Sequence, residues 1–205
     1  MVPPAVNAPH LLEPVISELY SPPAASLRGT NCKVWRSMAS CCPCTGRVTP
    51  PPGVAVTHRL RARAAALTVP ERIRTKVVAG RLTAAWIYGC ANPPEHLSLL
   101  VDAKHRISSL RGGTTQCSLH EVRLGQMDVV SLGGMLVSSP LRTAADIALH
   151  VEPDRALPAL KRLLEREELG IRLRLLTLAV ETLPRVPHKK RALATLAQLA
   201  QADPG

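Results

Sequence analysis

Aromatic side chains are nearly missing from this sequence. Its 205 residues include no Phe, two Trp and two Tyr, while hydrophobic residues as a whole make up 46%. A core is therefore available, but Leu, Val, Ile and Ala must build it, and Leu and Ala favour helices over a β-sandwich. Carboxylates are also scarce, with 15 Asp and Glu against 26 Lys and Arg. A nuclease would need several of them converging on a divalent metal. Here they are scattered, and those from Glu165 to Glu168 alternate with bases as on a solvated helix face. No apolar run approaches the ~18 residues that a spanning helix needs, and Met1-Val2-Pro3-Pro4 lacks the basic-then-apolar pattern of a secretory leader. The expectation is a cytoplasmic chain with reduced cysteines and no membrane partner. Other chemistries lack their motifs. Gly112-Gly113 has no Lys-Ser/Thr follow-on for cradling phosphates, no Gly-x-Ser-x-Gly occurs, and the seven histidines form no i, i+4 pair. The chain is thus expected to be no enzyme and to take no cofactor.

What is present divides near residue 54. Ten of the nineteen prolines and four of the six cysteines precede that point, and Pro50-Pro51-Pro52-Gly53 reads as a stop and linker. Residues 1–53 are expected to be weakly ordered or a degraded winged helix, with short helical stretches at Leu11 to Tyr20 and Ala24 to Trp35. Cys41 and Cys44 form one pair with a zinc-type gap, but no second pair follows. Cys32, Cys41, Cys42 and Cys44 therefore read as ordinary thiols, and no metal site is expected.

Residues 54–205 read as an α+β domain. Helices are expected over Arg59 to Leu67 and over Thr75 to Tyr88, the latter from Val78, Leu82, Ala85 and Trp86 at helical spacing. Leu97 to Val101, Cys117 to Leu124, Met127 to Ser131 and Met135 to Val137 suggest a small antiparallel sheet of three or four strands, with Gly133-Gly134 as its tight turn. Ser139-Pro140 opens a helix to about His150. An α-helical tail follows: Asp154 to Leu169, Ile171 to Leu183 and His188 to Ala202.

The formal charge of +11 points to an anionic partner, nucleic acid ahead of a membrane surface. Much of the surplus lies between residues 59 and 81. Arg59, Arg61, Arg63, Arg72, Arg74, Lys76 and Arg81 face Glu71 alone. Clustered cations release counterions from phosphates, a sequence-independent source of affinity. A solvated helical face would carry the same residues, and both readings stand at this point. The basic run Lys189 to Arg191 reads as solvated surface.

Three segments carry a family resemblance. Leu82-Thr83-Ala84-Ala85-Trp86-Ile87-Tyr88-Gly89 is similar to an Ala-Ala-Trp-x-x-Gly helix. Asp128-Val129-Val130 with Leu132-Gly133-Gly134, then Val137 to Asp146, is similar to a glycine turn, strand and Pro-x-Arg-Thr-x-x-Asp helix start. Leu183 to Lys189 is the third. In order and spacing they resemble the AbiEi-type antitoxins of type IV toxin–antitoxin systems, which act in abortive infection. The resemblance implies a transcriptional regulator with an N-terminal winged helix-turn-helix and a C-terminal α/β domain. It would repress its own operon and counteract a nucleotidyltransferase-like toxin without a stable complex. Residues 1–53 depart from that pattern, so binding to double-stranded DNA is expected to be weak. The alternative is a non-catalytic interaction module that has lost DNA binding.

The motif residues Trp86, Gly89, Gly133, Gly134, Pro140, Arg142, Thr143 and Asp146 read as structural. Arg142 and Asp146 stand four apart on one helix face and can pair locally, worth a few tenths of a kcal/mol if exposed. A ligand or nucleic-acid contact by Arg142 is the other reading. Trp86 is expected to anchor the core beside Leu82.

Overall fold

The computed structural model describes residues 56–104, 117–184 and 186–202. The expectations for residues 1–53, including the four cysteines there, lie outside the described residues.

Helix α1 (His58–Thr68) begins at Thr57, whose hydroxyl accepts from the Leu60 N–H at 3.2 Å, a cap worth about 1 kcal/mol. Its Ala62, Ala65 and Ala66 are buried together with Val69. Their small side chains let the helix approach the sheet closely. A short turn of helix, α2 (Glu71–Arg74), follows.

The expected helix over Thr75 to Tyr88 is instead two elements. Val78–Ala79 is a strand, β1, and helix α3 covers only Arg81–Ile87. Between them Gly80 is extended, at φ −134° and ψ 178°, and acts as the N-cap. Val77-Val78 explains the change, because β-branched side chains suit a pleated strand better than a helix. Helix α3 ends as a Schellman motif. Gly89 N–H donates to the Trp86 carbonyl at 2.9 Å and Cys90 N–H to the Ala85 carbonyl at 2.7 Å, with Gly89 at φ +83°. The glycine of the Ala-Ala-Trp-x-x-Gly pattern is thus a helix stop.

Strands β2 (Leu97–Asp102), β3 (Cys117–Val122), β4 (Val129–Leu132) and β5 (Met135–Ser138) complete the sheet. It has five strands in the order β3-β2-β1-β5-β4. The sheet is mixed, not antiparallel: β1 runs parallel to β5 and β2 parallel to β3, while β1–β2 and β4–β5 are antiparallel. Without β1 the other four strands form two separate pairs, so the unexpected strand is what joins the sheet. Met127 belongs to a single 3-10 turn, Gln126–Asp128, ahead of β4.

Helix α4 (Pro140–His150) starts with Pro140 at its first turn, and residues 143 to 149 are all buried. An element apolar around most of its circumference is a central helix, and α4 packs against α3 and the three helices that follow. Ser139 occupies the N-cap without a side-chain hydrogen bond, so Pro140 carries the start signal by itself. Helix α5 (Pro153–Glu165) begins one residue before Asp154, with Pro153 in its first turn. Asp154 is therefore a first-turn anion rather than the cap, still favourable to the helix dipole. Glu167–Leu169 is a separate 3-10 turn closed by Gly170 at φ +63°. Helices α6 (Leu173–Thr182) and α7 (Lys189–Ala202) form the helical tail.

The α+β class and helical tail accord with the sequence reading. Trp86, like Leu82, packs against the core. It is only partly buried at the edge of the core, whereas Ala84, Ala85 and Ile87 are fully buried. Among the described residues Tyr88 is the buried aromatic, and its hydroxyl donates to the Ser138 carbonyl at 2.7 Å. Burial, not length, sets the weight of a side chain, at about 1.5–3 kcal/mol for a fully buried Leu or Ile. Ile87, Leu99, Leu100, Ile147, Leu160 and Leu163 carry the core.

Candidate functional site

The seven cations between residues 59 and 81 fall into two groups. Arg59 and Arg63 lie one turn apart on α1 and are exposed, as are Arg72 and Lys76. None of these four makes an ion pair among the described residues. Arg61 turns inward, with its guanidinium over Gly89 and beside Arg166, whose own Nη1 donates to the Tyr88 carbonyl. Burial first, and Arg166 next, hold the Arg61 pKa down. Arg74 turns back to donate from Nη2 to the Val69 carbonyl at 3.2 Å. Arg81 is part-buried and opposes the ring of His120 on β3, Nη1 to Nε2, at 3.1 Å. One stretch of sequence thus supplies four solvent-facing cations and three that belong to the fold.

Arg142 is a clasp. Its Nε donates to Asp146 Oδ2 at 3.0 Å, and its Nη1 reaches Asp128 Oδ2 at 2.9 Å and the Arg123 carbonyl at 3.0 Å. Asp128 also accepts from the Gly125 N–H at 2.8 Å. The guanidinium fork therefore ties α4 to the β3–β4 connection, an arrangement that a planar donor set is built for. Next to it Thr143 donates to the Ser138 carbonyl at 3.0 Å, and the two hydroxyls of Thr143 and Ser138 share a bond at 2.7 Å. The Arg-Thr-x-x-Asp motif is accordingly a joint between helix and sheet. Its Nε and Nη1 are thus both spent on this joint.

Helical spacing puts Arg142, Asp146 and His150 on one side of α4. Arg81 on α3 and His120 on β3 are in contact at 3.1 Å, and the charge of Arg81 acts on Asp146 and His150. Burial raises the Asp146 pKa against the opposing pull of Arg142 and Arg81. Burial and then Arg81 lower that of His120, and His150 is lowered to about 4 by partial burial, Arg81 and His188. Both rings are neutral at pH 7. Sequence reasoning missed this group, because its members are spread over residues 81 to 150 and share no spacing.

The basic run at the start of α7 ties helices together. Lys189 Nζ donates to the Glu181 and Leu183 carbonyls at 2.6 and 2.7 Å, at the C-terminal end of α6. Arg191 pairs with Glu152 at 2.8 Å. Cations are favoured at the carbonyl end of a helix.

A cleft of 490 Å³ lies beside Cys90, Asn92, Glu95, Asp154, Arg155 and Arg162. Burial pushes the Cys90 thiol above its ordinary range, which works against nucleophilic use. Among the described residues no group of three or more His, Cys, Asp or Glu is placed to hold a metal ion, and no helix is long and apolar enough to cross a membrane. Compared with known proteins, the chain matches no family model and no curated sequence.

Proposed function

We propose that this chain is a regulator of the antitoxin type that binds double-stranded DNA weakly through an exposed basic face, and that it is not an enzyme. The observation that carries the reading is the set Arg59, Arg63, Arg72 and Lys76. These four cations lie within 18 residues of sequence, all exposed and none ion-paired among the described residues. Unpaired surface cations act on phosphates through counterion release, without base recognition. Arg61, Arg74 and Arg81 are left out of the interface, because each is engaged by the fold.

The resemblance to AbiEi-type antitoxins supplies the biological frame: control of its own operon and opposition to a nucleotidyltransferase-like toxin without a stable complex. Binding of a duplex oligonucleotide, followed by fluorescence anisotropy across a salt series, tests the physical half of this reading. A neighbouring nucleotidyltransferase gene, and growth rescue on co-expression with its product, test the other half. Exposed Leu175 and Leu178, three apart on α6, favour the second reading of a protein-interaction module. That reading prevails if duplex binding is absent at every salt concentration.

A further inference from the structure

Two guanidiniums converge on a residue that has no side chain. A Cβ on Gly89 would stand 2.7 Å from Nη1 of Arg61 and 3.1 Å from Nη1 of Arg166. Gly89 stands at the end of α3 with φ +83°, Arg61 comes from α1, and Arg166 directly follows α5. The two cations therefore share one small patch of backbone, although like charges at this range repel. Part of what gathers them is the C-terminal end of α3, whose last carbonyls favour cations. Arg166 answers to that end directly, donating from Nη1 to the Tyr88 carbonyl. Arg61 does not. It makes no hydrogen bond and no ion pair among the described residues.

The donors of Arg61 are open as well as unspent. Its side chain is part-exposed, and the buried nitrogens that lack a partner among the described residues are the Nε atoms of Arg74, Arg81 and Arg191. The unbonded N–H groups of Arg61 therefore reach solvent. Arg166 spends Nη1 on Tyr88 and Nε on Glu168 at 3.4 Å, acts on the Cys90 thiol, and leaves Nη2 without a hydrogen bond. Glu168 is the carboxylate at this place, and it pairs with Arg166 alone. One carboxylate thus stands against two guanidiniums, and the charge of Arg166 weighs on that of Arg61.

We propose that Arg61 and Arg166 form a binding site for a phosphate monoester over Gly89, apart from the basic face of Arg59, Arg63, Arg72 and Lys76. A phosphate monoester carries close to two charges at pH 7, which matches two guanidiniums. Its oxygens stand on a tetrahedron and accept from forks that arrive from two elements. A carboxylate offers one charge and a flat pair of oxygens, which suits one fork rather than two. The missing side chain of Gly89 leaves the room in which the two Nη1 atoms converge. A bound dianion also turns the repulsion between the cations into two attractions. The site is independent of the duplex-binding reading and can fail without it.

The test uses the full chain and inorganic phosphate, titrated at pH 7 against chloride and acetate of equal ionic strength, with the melting temperature as the readout. Phosphate stabilises most proteins somewhat by exclusion from their surface, so the reading is the saturable part of the rise. Arg61→Met keeps the apolar stem and removes the charge. It should raise the half-effect phosphate concentration by roughly tenfold or more, the loss of one charged donor, while an Arg59→Ala/Arg63→Ala chain titrates like the parent. In chloride alone Arg61→Met should melt no lower than the parent, because it removes a repulsion and no bond. A merely structural cation gives the opposite, a lower melting temperature with and without phosphate. Arg61→Lys keeps the charge without the fork and should titrate severalfold weaker, which decides the question should Arg61→Met not fold. A rise that never saturates, that acetate reproduces, or that either variant retains in full overturns the proposal, as does an Arg61→Met chain that melts lower than the parent in chloride. A further arm compares 5′-phosphorylated and 5′-hydroxyl oligonucleotides. Preference for the phosphorylated end identifies a nucleic-acid terminus as the source, and equal binding with phosphate saturation retained identifies a free phosphate compound. The salt dependence of duplex binding, measured on Arg61→Met, should stay that of the parent, which separates failure of this site from failure of the basic face.

Discussion

A Cβ on Gly133 would stand 2.4 Å from the carbonyl oxygen of Arg59. The β4–β5 turn and helix α1 are thus pressed together backbone to backbone. Gly134 shares the turn at φ +80° but has nothing within 4 Å of its own added Cβ. Gly134→Ala should cost only the left-handed backbone, about 1–2 kcal/mol. Gly133→Ala adds a clash that a rigid carbonyl cannot escape, and it should lower the melting temperature distinctly further. Equal losses in thermal unfolding would show that α1 does not rest on Gly133.

The joint around Arg142 gives a second expectation. Removing the guanidinium leaves Asp146, with a side chain 5% exposed, as a buried carboxylate without its partner. Arg142→Ala should therefore cost about 3–5 kcal/mol, and Arg142→Lys should not restore it, because an ammonium lacks the fork that spans Asp128 and Asp146. Adding Asp146→Asn to Arg142→Ala should recover part of the loss by removing the stranded charge. A double mutant no more stable than Arg142→Ala, by denaturant unfolding, would sink the clasp.

Duplex binding should respond to position rather than to charge alone. Replacing Arg59, Arg63, Arg72 and Lys76 by Ala removes up to four phosphate contacts, each worth about 0.9 in the slope of log K against log salt. The slope should flatten by up to about 3.6. Arg74→Ala removes one such charge, held in a contact internal to the fold, so it should lower stability and leave the slope nearly unchanged. Flattening by about 0.9 on Arg74→Ala alone would bring that residue into the interface.

Acid should destabilise the chain before its carboxylates titrate. His150 binds its proton only near pH 4 when folded but near 6.5 when unfolded, and His120 is shifted in the same direction. The unfolded chain therefore holds more protons between these values. The stability present above 6.5 is lost as pH falls toward 4. Asp146 is raised and works in the opposite sense at the acid end. Because His150 is exposed, its share is set at roughly 1 kcal/mol after screening, not at the full shift. The melting temperature should then drop by about 2–4 °C between pH 7 and 5. His150→Gln should flatten that dependence. A parent chain that melts at the same temperature across this range would contradict the assignment.

Much of this architecture was legible locally. Pro140 and the apolar run after it announce α4, the run Leu97 to Val101 marks β2, alternation marks β3, and the paired glycines mark the β4–β5 turn. Each signal lies within a few residues of what it specifies. Strand β1 was not legible. Two residues carry no period, and Val78 fell into a helical spacing with Leu82 that the Gly80 break interrupts. The depth of Trp86 was not legible for a related reason: helical spacing names a face, but the neighbours that cover it decide how far it is buried.

The sequence by itself determined the material of the core, the stops of several helices, and the density of positive charge between residues 59 and 81. Propensity, proline geometry and composition act within a turn or two of chain, and need no partner. Which of those cations meet solvent was decided by tertiary structure, since Arg61, Arg74 and Arg81 each find an acceptor, a ring or a neighbouring cation far away in sequence or across a turn. The same holds for the meeting of Arg81 with His120 and of Arg142 with Asp128. Their meeting depends on how α3, β3 and α4 pack, and burial and electrostatic coupling follow spatial distance, not position along the chain.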